Sequence, residues 1–372
     1  MNFSIEKEVF LKGLSKIQGI IEKRNTIPIL SNVLIETNKT NIYLTATDLE
    51  VGMRASYPAS INQPGKITVS AKKIYEIVKE LPEKEITFKS KDNSWIEIIC
   101  GKSLFNIVGL SSDEFPHFPE INDNSMIPVN GNLLNEMIEK TLFSISNDDT
   151  KYNLNGIYFK KIKNNEKSAL RLVATDGHRL ALIERQMEIP DIEELDQGII
   201  LPRKGINELK KIAEDSIENI LIGFIDNSFV IKKENTIVVM RLVNGDFPDY
   251  NRVIPKNNED IAIINRDLFL HVLKRMSILL NEKSKGVKIE IKNNKIEISS
   301  SNPDLGDARE EMEIFYSGPE IIIGLNARYM IDIIQALNCE KIKLAVKDNM
   351  SPGLITPEIE DGFLSVIMPM RL

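Results

Sequence analysis

One succession of patterns passes three times along the 372 residues, and a chain built this way folds as three like units rather than as one large one. Apolar residues at helical spacing open each pass: Phe10, Leu14, Ile17 and Ile21; then Leu134, Met137, Ile138, Thr141, Leu142 and Ile145; then Phe269, Val272, Leu273, Met276 and Leu279. Strand-like stretches and a polar turn follow. The turn reads Thr47-Asp48-Leu49-Glu50 in the first pass and Thr175-Asp176-Gly177-His178 in the second, with a looser third version at Asn302-Pro303-Asp304. Asp48 and Asp176 stand 128 positions apart, as do Asp176 and Asp304.

A second helical stripe then recurs, carried by Ile74, Ile77, Val78 and Leu81, by Ile206, Leu209, Ile212 and Ala213, and by Met330, Ile333, Ile334 and Leu337. Strands close each pass near a proline, at Phe115-Pro116, Phe247-Pro248 and Met368-Pro369. Alternation at Val287, Ile289 and Ile291 leads into an Asn293-Asn294 turn and predicts a hairpin. The class expected is α+β, three copies of helix, strands, helix, strands, each about a hundred residues or slightly more. Polar, turn-rich stretches at Asn122-Asp123-Asn124-Ser125 and Lys256-Asn257-Asn258-Glu259 set the expected domains at 1–125, 126–257 and 258–372.

Antiparallel sheets leave edges that must be paired or covered. Three copies joined edge to edge by one repeated rotation make an arc, whose free ends a further chain joined head to tail can satisfy. The result is a ring with the helices together on one face. Those helices carry Lys7, Lys12, Lys16, Lys23 and Arg24 against Glu6, Glu8 and Glu22, then Lys72, Lys73 and Lys79, then Arg203, Lys204, Lys210 and Lys211. Such a row suits a phosphate backbone, because ammonium charges neutralise phosphates without reading bases. The plain alternative is a solvated helix face, and Glu136, Glu139 and Asp332 dilute the pattern.

Composition removes several other classes. No apolar run reaches membrane-spanning length, and Met1-Asn2-Phe3-Ser4-Ile5-Glu6 lacks the blocks of a signal peptide, so a cytoplasmic home is expected. Two cysteines, Cys100 and Cys339, do not make a disulfide framework or a zinc cage. The net charge of −7 is an average over all faces and leaves a locally basic surface open. His178 beside Asp176 invites a catalytic reading, yet three histidines in the chain supply no metal spacing and no evident nucleophile. Asp48, Asp176 and Asp304 as a two-metal nuclease fail on distance, since equivalent places in separate domains do not bring ions to about 4 Å. No Walker-type glycine loop occurs. No catalytic residue, metal or cofactor is expected. The competing readings are a DNA-encircling clamp, a metal-dependent nuclease and a repeat scaffold that binds only proteins.

Six strings in register with the repeats then carry a resemblance: Thr175-Asp176-Gly177-His178-Arg179-Leu180-Ala181, Leu201-Pro202-Arg203-Lys204-Gly205, Phe247-Pro248-Asp249-Tyr250, Met368-Pro369-Met370-Arg371-Leu372, Asn281-Glu282-Lys283 and Tyr152-Asn153-Leu154-Asn155-Gly156. The chain resembles, from its first residue to its last, the bacterial DNA polymerase III beta subunit family. That resemblance implies a head-to-tail homodimer of three-domain chains forming a ring, helices lining the hole and sheets the rim. Duplex DNA passes through without sequence readout, and a clamp loader opens one seam. DNA polymerases and repair proteins dock a short extended peptide into a pocket between the second and third domains.

Carried over by position, that pocket uses Leu154, Thr175, Gly177, His178, Arg179, Leu180, Pro248, Arg252, Val253, Val366, Ile367, Met368 and Met370, with Pro352 at its rim. An apolar floor with a few polar groups is what peptide anchoring needs, and methionine adapts to many partners; read without the resemblance, Met368 and Met370 are ordinary core residues. DNA contacts by the same carry-over are Arg24 and Tyr152, then Lys12, Arg203 and Lys204. Asn153 replaces an aromatic residue and Lys151 an arginine found in some members, and Asp148 and Asp149 would repel phosphate. At the seam, Phe105 and Ile107 would pack on the partner's Ile278 and Leu279, each side chain contributing roughly 1.5–3 kcal/mol on burial. Lys102 would face Asp304, Asp307, Glu310 and Glu311, setting register more than strength.

Overall fold

The computed structural model describes residues 1–21, 27–164, 167–214, 219–256, 260–280, 285–359 and 362–371. Seven α-helices occur among them: α1 (Lys7–Ile17), α2 (Ala71–Glu80), α3 (Gly131–Leu142), α4 (Glu193–Gln197), α5 (Arg203–Glu214), α6 (Arg266–Met276) and α7 (Ala327–Gln335). The six predicted apolar stripes fall on six of these helices, with Leu81, Ile145 and Leu337 one to three residues past the ends of α2, α3 and α7, and the short α4 is the addition. Helix α1 stops four residues before Ile21, and Leu279 belongs to a 3-10 turn, Ser277–Leu279, rather than to α6.

Local chemistry fixes the helix starts. The Ser70 hydroxyl accepts from the Lys73 N–H ahead of α2, Asn265 Oδ1 accepts from the Leu268 N–H ahead of α6, and Asn326 Oδ1 takes both the Arg328 and Tyr329 N–H groups ahead of α7. Each bond satisfies donors that the first helical turn leaves without an internal partner. Phe10, Leu14 and Ile17 of α1 are fully buried, as are Ile74 and Val78 of α2, which packs against it. Helices α6 and α7 repeat the arrangement with Phe269, Leu273, Met330, Ile333 and Ile334.

The expectation that a helix heads each copy needs correction. A strand comes first every time: Asn2–Glu6, Ile127–Asn130 and Ile261–Asn265. In the first, Phe3 and Ile5 alternate inward, and the Phe3 ring stacks on Phe88 with centroids 4.9 Å apart. The hairpin at Asn293-Asn294 is present, with Asn294 at φ 56° and Val287, Ile289 and Ile291 buried.

Two compact units result, and neither coincides with a whole number of copies. The first holds Met1–Asn132 with Lys204–Leu242, the second Leu133–Arg203 with Val243–Leu372. The middle copy is shared because each of its two sheets is continued by strands of a neighbouring copy. In the first unit, Thr236–Arg241 pairs antiparallel with Val51–Pro58, joining four middle-copy strands to the nine of the first copy in one thirteen-stranded sheet. In the second unit, Phe363–Ile367 pairs antiparallel with Arg179–Gln186, joining four strands of the middle copy to four of the third. Strand Arg179–Gln186 holds the same place in its copy as Val51–Pro58, and Phe363–Ile367 the same place as Thr236–Arg241. One junction has been made twice.

The remaining members of that strand pair are left over. Gly306–Glu313 pairs only with Lys295–Asn302 and forms the edge of a four-stranded sheet in the second unit. In the first unit, Ser103–Leu110 pairs with Trp95–Cys100 on one side, while its registered pairing on the other side is limited to Gly109 and Leu110.

Candidate functional site: an apolar cleft in the second unit

The turn Thr175-Asp176-Gly177-His178 is pinned from within. Asp176 Oδ1 accepts from the His178 and Arg179 N–H groups at 2.8 and 2.9 Å, and the Thr175 hydroxyl donates to the Arg179 carbonyl at 2.7 Å. Gly177 sits at φ +89°, a conformation in which a side chain would be strained. The turn delivers Arg179 and Leu180 to the start of their strand, beside Phe363–Ile367, where Met368 N–H donates to the His178 carbonyl at 2.9 Å.

Arg179 bolts this corner together. Its side chain is 9% exposed; Nε donates to Asp176 at 3.1 Å and Nη1 to Asp332 of α7 at 2.6 Å. The guanidinium also lies 4.2 Å from the Tyr329 ring centroid and 5.4 Å from that of Phe143. On the opposite wall, Arg171 pairs with Glu184 and donates to the Tyr250 hydroxyl at 3.0 Å, holding that ring upright. Tyr158 stacks on Phe247 with centroids 4.9 Å apart and supports it.

Between these walls lies a cleft of about 280 Å³, lined by Leu154, Thr175, Gly177, Arg179, Leu180, Pro248, Asp249, Tyr250, Val253, Val366 and Met368. Leu180, Tyr250 and Val366 belong to one buried apolar cluster with Val173 and Leu182, so the floor is an extension of the core. A wider hollow of about 980 Å³ in the same unit is bounded by Lys285, Asp304, Arg328 and Asp332 besides Ile278 and Leu305. Its charged walls suit water better than an apolar chain, and the smaller cleft is the better candidate.

Nine of the fourteen residues expected in the pocket line this cleft, and five do not. Ile367 is fully buried, because strand alternation turns it away from the face shared by Val366 and Met368. His178 is exposed and contributes its backbone to the turn. Arg252 is exposed and paired with Asp249; Met370 is tied by its N–H to the Gly324 carbonyl; Pro352 is half-buried outside the lining. Asp249 and Tyr250 were missed, although both stand in the Phe247-Pro248-Asp249-Tyr250 string; the Arg171 tether that turns Tyr250 into a wall comes from 79 residues away.

The expected DNA contacts separate in the same way. Arg24 lies outside the described residues. Lys12 is exposed on α1, and Tyr152 is 61% exposed with its ring against Gly245. Arg203 and Lys204 have partners within the fold. The Arg203 Nη2 donates to the Ile145 and Ser146 carbonyls at 2.8 Å each, and burial, followed by the nearby Arg179 charge, pushes its guanidinium down. Lys204 is ion-paired with Asp48, whose side chain is 3% exposed. Both cations are engaged in folding, and sequence could not show it because their partners lie far along the chain. Asn153 also gains a purpose, donating to the Asp246 carbonyl at 3.1 Å and tying the 3-10 turn Tyr152–Leu154 to the loop that carries Pro248.

At the expected seam, Phe105 is 38% and Ile278 74% exposed. Leu104, Val108 and Leu110 on the Phe105 strand are exposed too. The acidic stretch opposite Lys102 in the expectation is partly neutralised within the second unit, Glu310 by a two-pronged Arg275 contact and Glu311 by Lys295. Asp48 and Asp176 serve turns and cations, and among the described residues no three His, Cys, Asp or Glu side chains gather as a metal-ligand set. No helix among them is long and apolar enough to cross a membrane.

Three linked α+β copies with an apolar cleft define a repeat protein whose second unit offers a seat for an extended apolar segment. Comparison with known proteins agrees. The N-terminal, central and C-terminal domain families of the DNA polymerase III beta subunit match residues 1–119, 128–249 and 251–371. The beta sliding clamps of Caulobacter vibrioides (strain NA1000 / CB15N) and Haemophilus influenzae are 35% and 34% identical over 375 and 377 residues, each covering all of both chains. Among solved structures, the beta sliding clamp of Caulobacter crescentus superposes with a TM-score of 0.95 at 34% identity, and that of Bartonella birtlesii bound to griselimycin with 0.95 at 33%, again over the full length of both chains. The chain belongs to the DNA polymerase III beta subunit family, the bacterial sliding clamps, whose members serve as processivity subunits and are not themselves catalytic.

Proposed function

We propose that two copies of this chain close head to tail into a ring around duplex DNA, and that the cleft of the second unit tethers polymerases and repair proteins to it. The observation that carries the ring is the junction made twice within the chain. Val51–Pro58 takes Thr236–Arg241, and Arg179–Gln186 takes Phe363–Ile367. By the same rule the left-over Gly306–Glu313 takes a Ser103–Leu110 from another chain, and that chain's free pair closes the circle. Phe105 and Ile107 of one copy then meet Ile278 and Leu279 of the other. The domains run 1–125, 126–257 and 258–372, with the intervening strand junctions acting as staples.

Lys12, Tyr152 and Arg24 are the cations and aromatic offered to the DNA backbone, while Arg203 and Lys204 are withdrawn from that role. Contacts of this kind are electrostatic and indifferent to sequence, as a sliding protein requires. The cleft takes an extended, apolar peptide segment, and griselimycin, to which the sliding clamp of Bartonella birtlesii is bound, is the ligand chosen to probe it. A clamp loader opens one seam in the cytoplasm.

Native mass spectrometry tests the ring. Two chains per particle are expected, and single chains for Phe105→Asp, which places a charge in the seam. A Phe105→Asp protein that stays in pairs would remove the assigned edge from the account.

A further inference from the structure

The turn and strand junction behind the cleft exist a second time, in the first unit, with Val51 in the place of Arg179. Asp48 Oδ1 accepts from the Glu50 and Val51 N–H groups at 3.0 and 2.7 Å, as Asp176 does from His178 and Arg179. The Thr47 hydroxyl donates to the Val51 carbonyl at 3.2 Å, as Thr175 does to Arg179. Arg241 N–H donates to the Glu50 carbonyl at 2.8 Å, as Met368 does to His178 at 2.9 Å. The strand registers agree: Val51 faces Met240 and Gly52 faces Val239, where Arg179 faces Ile367 and Leu180 faces Val366. The turn Pro28–Ser31 precedes its strand as Tyr152–Leu154 does, with Asn32 facing Ser70 where Gly156 faces Pro202, so Leu30 stands for Leu154. Phe115-Pro116-His117-Phe118 stands for Phe247-Pro248-Asp249-Tyr250.

What differs is the occupant. The floor leucine of the second unit, Leu180, is replaced by Gly52, and the Phe118 ring lies directly over it: a Cβ on Gly52 would meet Phe118 Cε2 at 3.3 Å. Leu30 is 2% exposed and packed with Ile29, Leu34 and Phe115, whereas Leu154 is half-buried and open to the cleft. The two rings are also held differently. Tyr250 is held upright by Arg171, itself paired with Glu184. The corresponding pair in the first unit is Tyr43 facing Ser56; the Arg54 guanidinium beside it stacks on Tyr43 and pairs with Glu36, and Phe118 has no hydroxyl to receive a hydrogen bond.

We infer that the first unit carries a second copy of the peptide cleft, filled by the chain's own Phe118, and that Phe118 on Gly52 limits each chain to one docking site. The inference rests on the peptide-docking reading of the second unit. Its ligand class is the same, an extended apolar peptide. Vacating the ring exposes Gly52, Leu30 and Val239 as a new floor, with Arg241 replacing Met368 on one wall. That polar replacement makes the vacated site weaker than the natural one, by about tenfold or more.

The probe is griselimycin, titrated by calorimetry into the full-length protein. The intact chain takes one equivalent; Phe118→Ala takes two, the second weaker. Met368→Glu closes the natural cleft, so Met368→Glu takes none and the double variant Phe118→Ala/Met368→Glu keeps one. If Phe118→Ala loses its circular dichroism spectrum, Phe118→Leu, which keeps cover over Leu30 while shortening the ring, is read in its place. A folded Phe118 variant that still takes one equivalent, with none in the double variant, overturns the inference, and so do two equivalents on the intact chain. No binding to the intact chain with one equivalent on Phe118→Ala would instead remove the peptide-docking reading of the second unit and leave the plug standing. No binding to either removes both.

Discussion

Arg179 is the side chain on which the cleft most depends, and its replacement can be worked through. Arg179→Ala removes a guanidinium that is 9% exposed and leaves two carboxylates without their cation. Breaking a buried pair by deleting one partner costs about 3–5 kcal/mol. The lower end applies, because Asp176 keeps its two backbone donors and the Asp332 side chain, 30% exposed, can rehydrate. Loss of the stack on Tyr329 at 4.2 Å adds up to about 1 kcal/mol. A loss near 3–4 kcal/mol lowers the melting temperature of the second unit, Leu133–Arg203 with Val243–Leu372, by about 6–16 °C, the range for a cooperative unit of about 150–250 residues. Arg179→Lys retains the charge but cannot fork between Asp176 and Asp332, and should fall between the two. Griselimycin affinity should drop in parallel, since the turn carrying Thr175 and Gly177 and helix α7 are no longer held by a common group. Calorimetric melting with ligand titration reads both quantities. An Arg179→Ala protein that melts within 1 °C of the parent would refute the bolt, and one that melts lower yet binds unchanged would separate it from the cleft.

Deleting Met368–Leu372 removes a cleft wall and the backbone bond to His178, and should abolish griselimycin binding while native mass spectrometry still shows two chains. Ile278→Asp with Leu279→Asp should give single chains by size-exclusion chromatography, an unchanged elution volume arguing against this seam. Burial alone would raise the Glu136 carboxyl, but hydrogen bonds from Arg185 and Lys140 hold it below its ordinary value. A depressed carboxylate stabilises the fold above its unfolded pKa, near 4.3, and that contribution disappears as pH falls through the folded value. The melting difference between the parent and Glu136→Gln should therefore be present at pH 6 and shrink below about pH 4; a difference independent of pH would contradict the assignment.

The repeat made most of this fold legible. Six amphipathic stripes and a recurring Asp-centred turn were visible because helix periodicity and turn chemistry are local properties. The strands at Asn2–Glu6, Ile127–Asn130 and Ile261–Asn265 escaped because four or five residues alternate too briefly to stand out. In the cleft, carry-over by position located nine lining residues, seven of them within the motif strings, yet Ile367 was misplaced because position along the chain does not say which face of a strand a residue takes. Arg203 and Lys204 read as surface cations until Ile145, Ser146 and Asp48 came into contact with them. Charge is visible in sequence; the partner that neutralises it is a tertiary fact. The plug by Phe118 was hidden for the same reason, since it depends on Gly52 lying under a ring 66 residues away.

The direct test of the central claim is retention on DNA of defined topology. After loading onto a nicked circular plasmid by a clamp loader, the protein should stay with the circle through gel filtration at high salt, where phosphate contacts are screened, and should leave once a single cut linearises it. Retention that survives linearisation, or that disappears from the circle in high salt, would mean the protein grips DNA by charge instead of enclosing it.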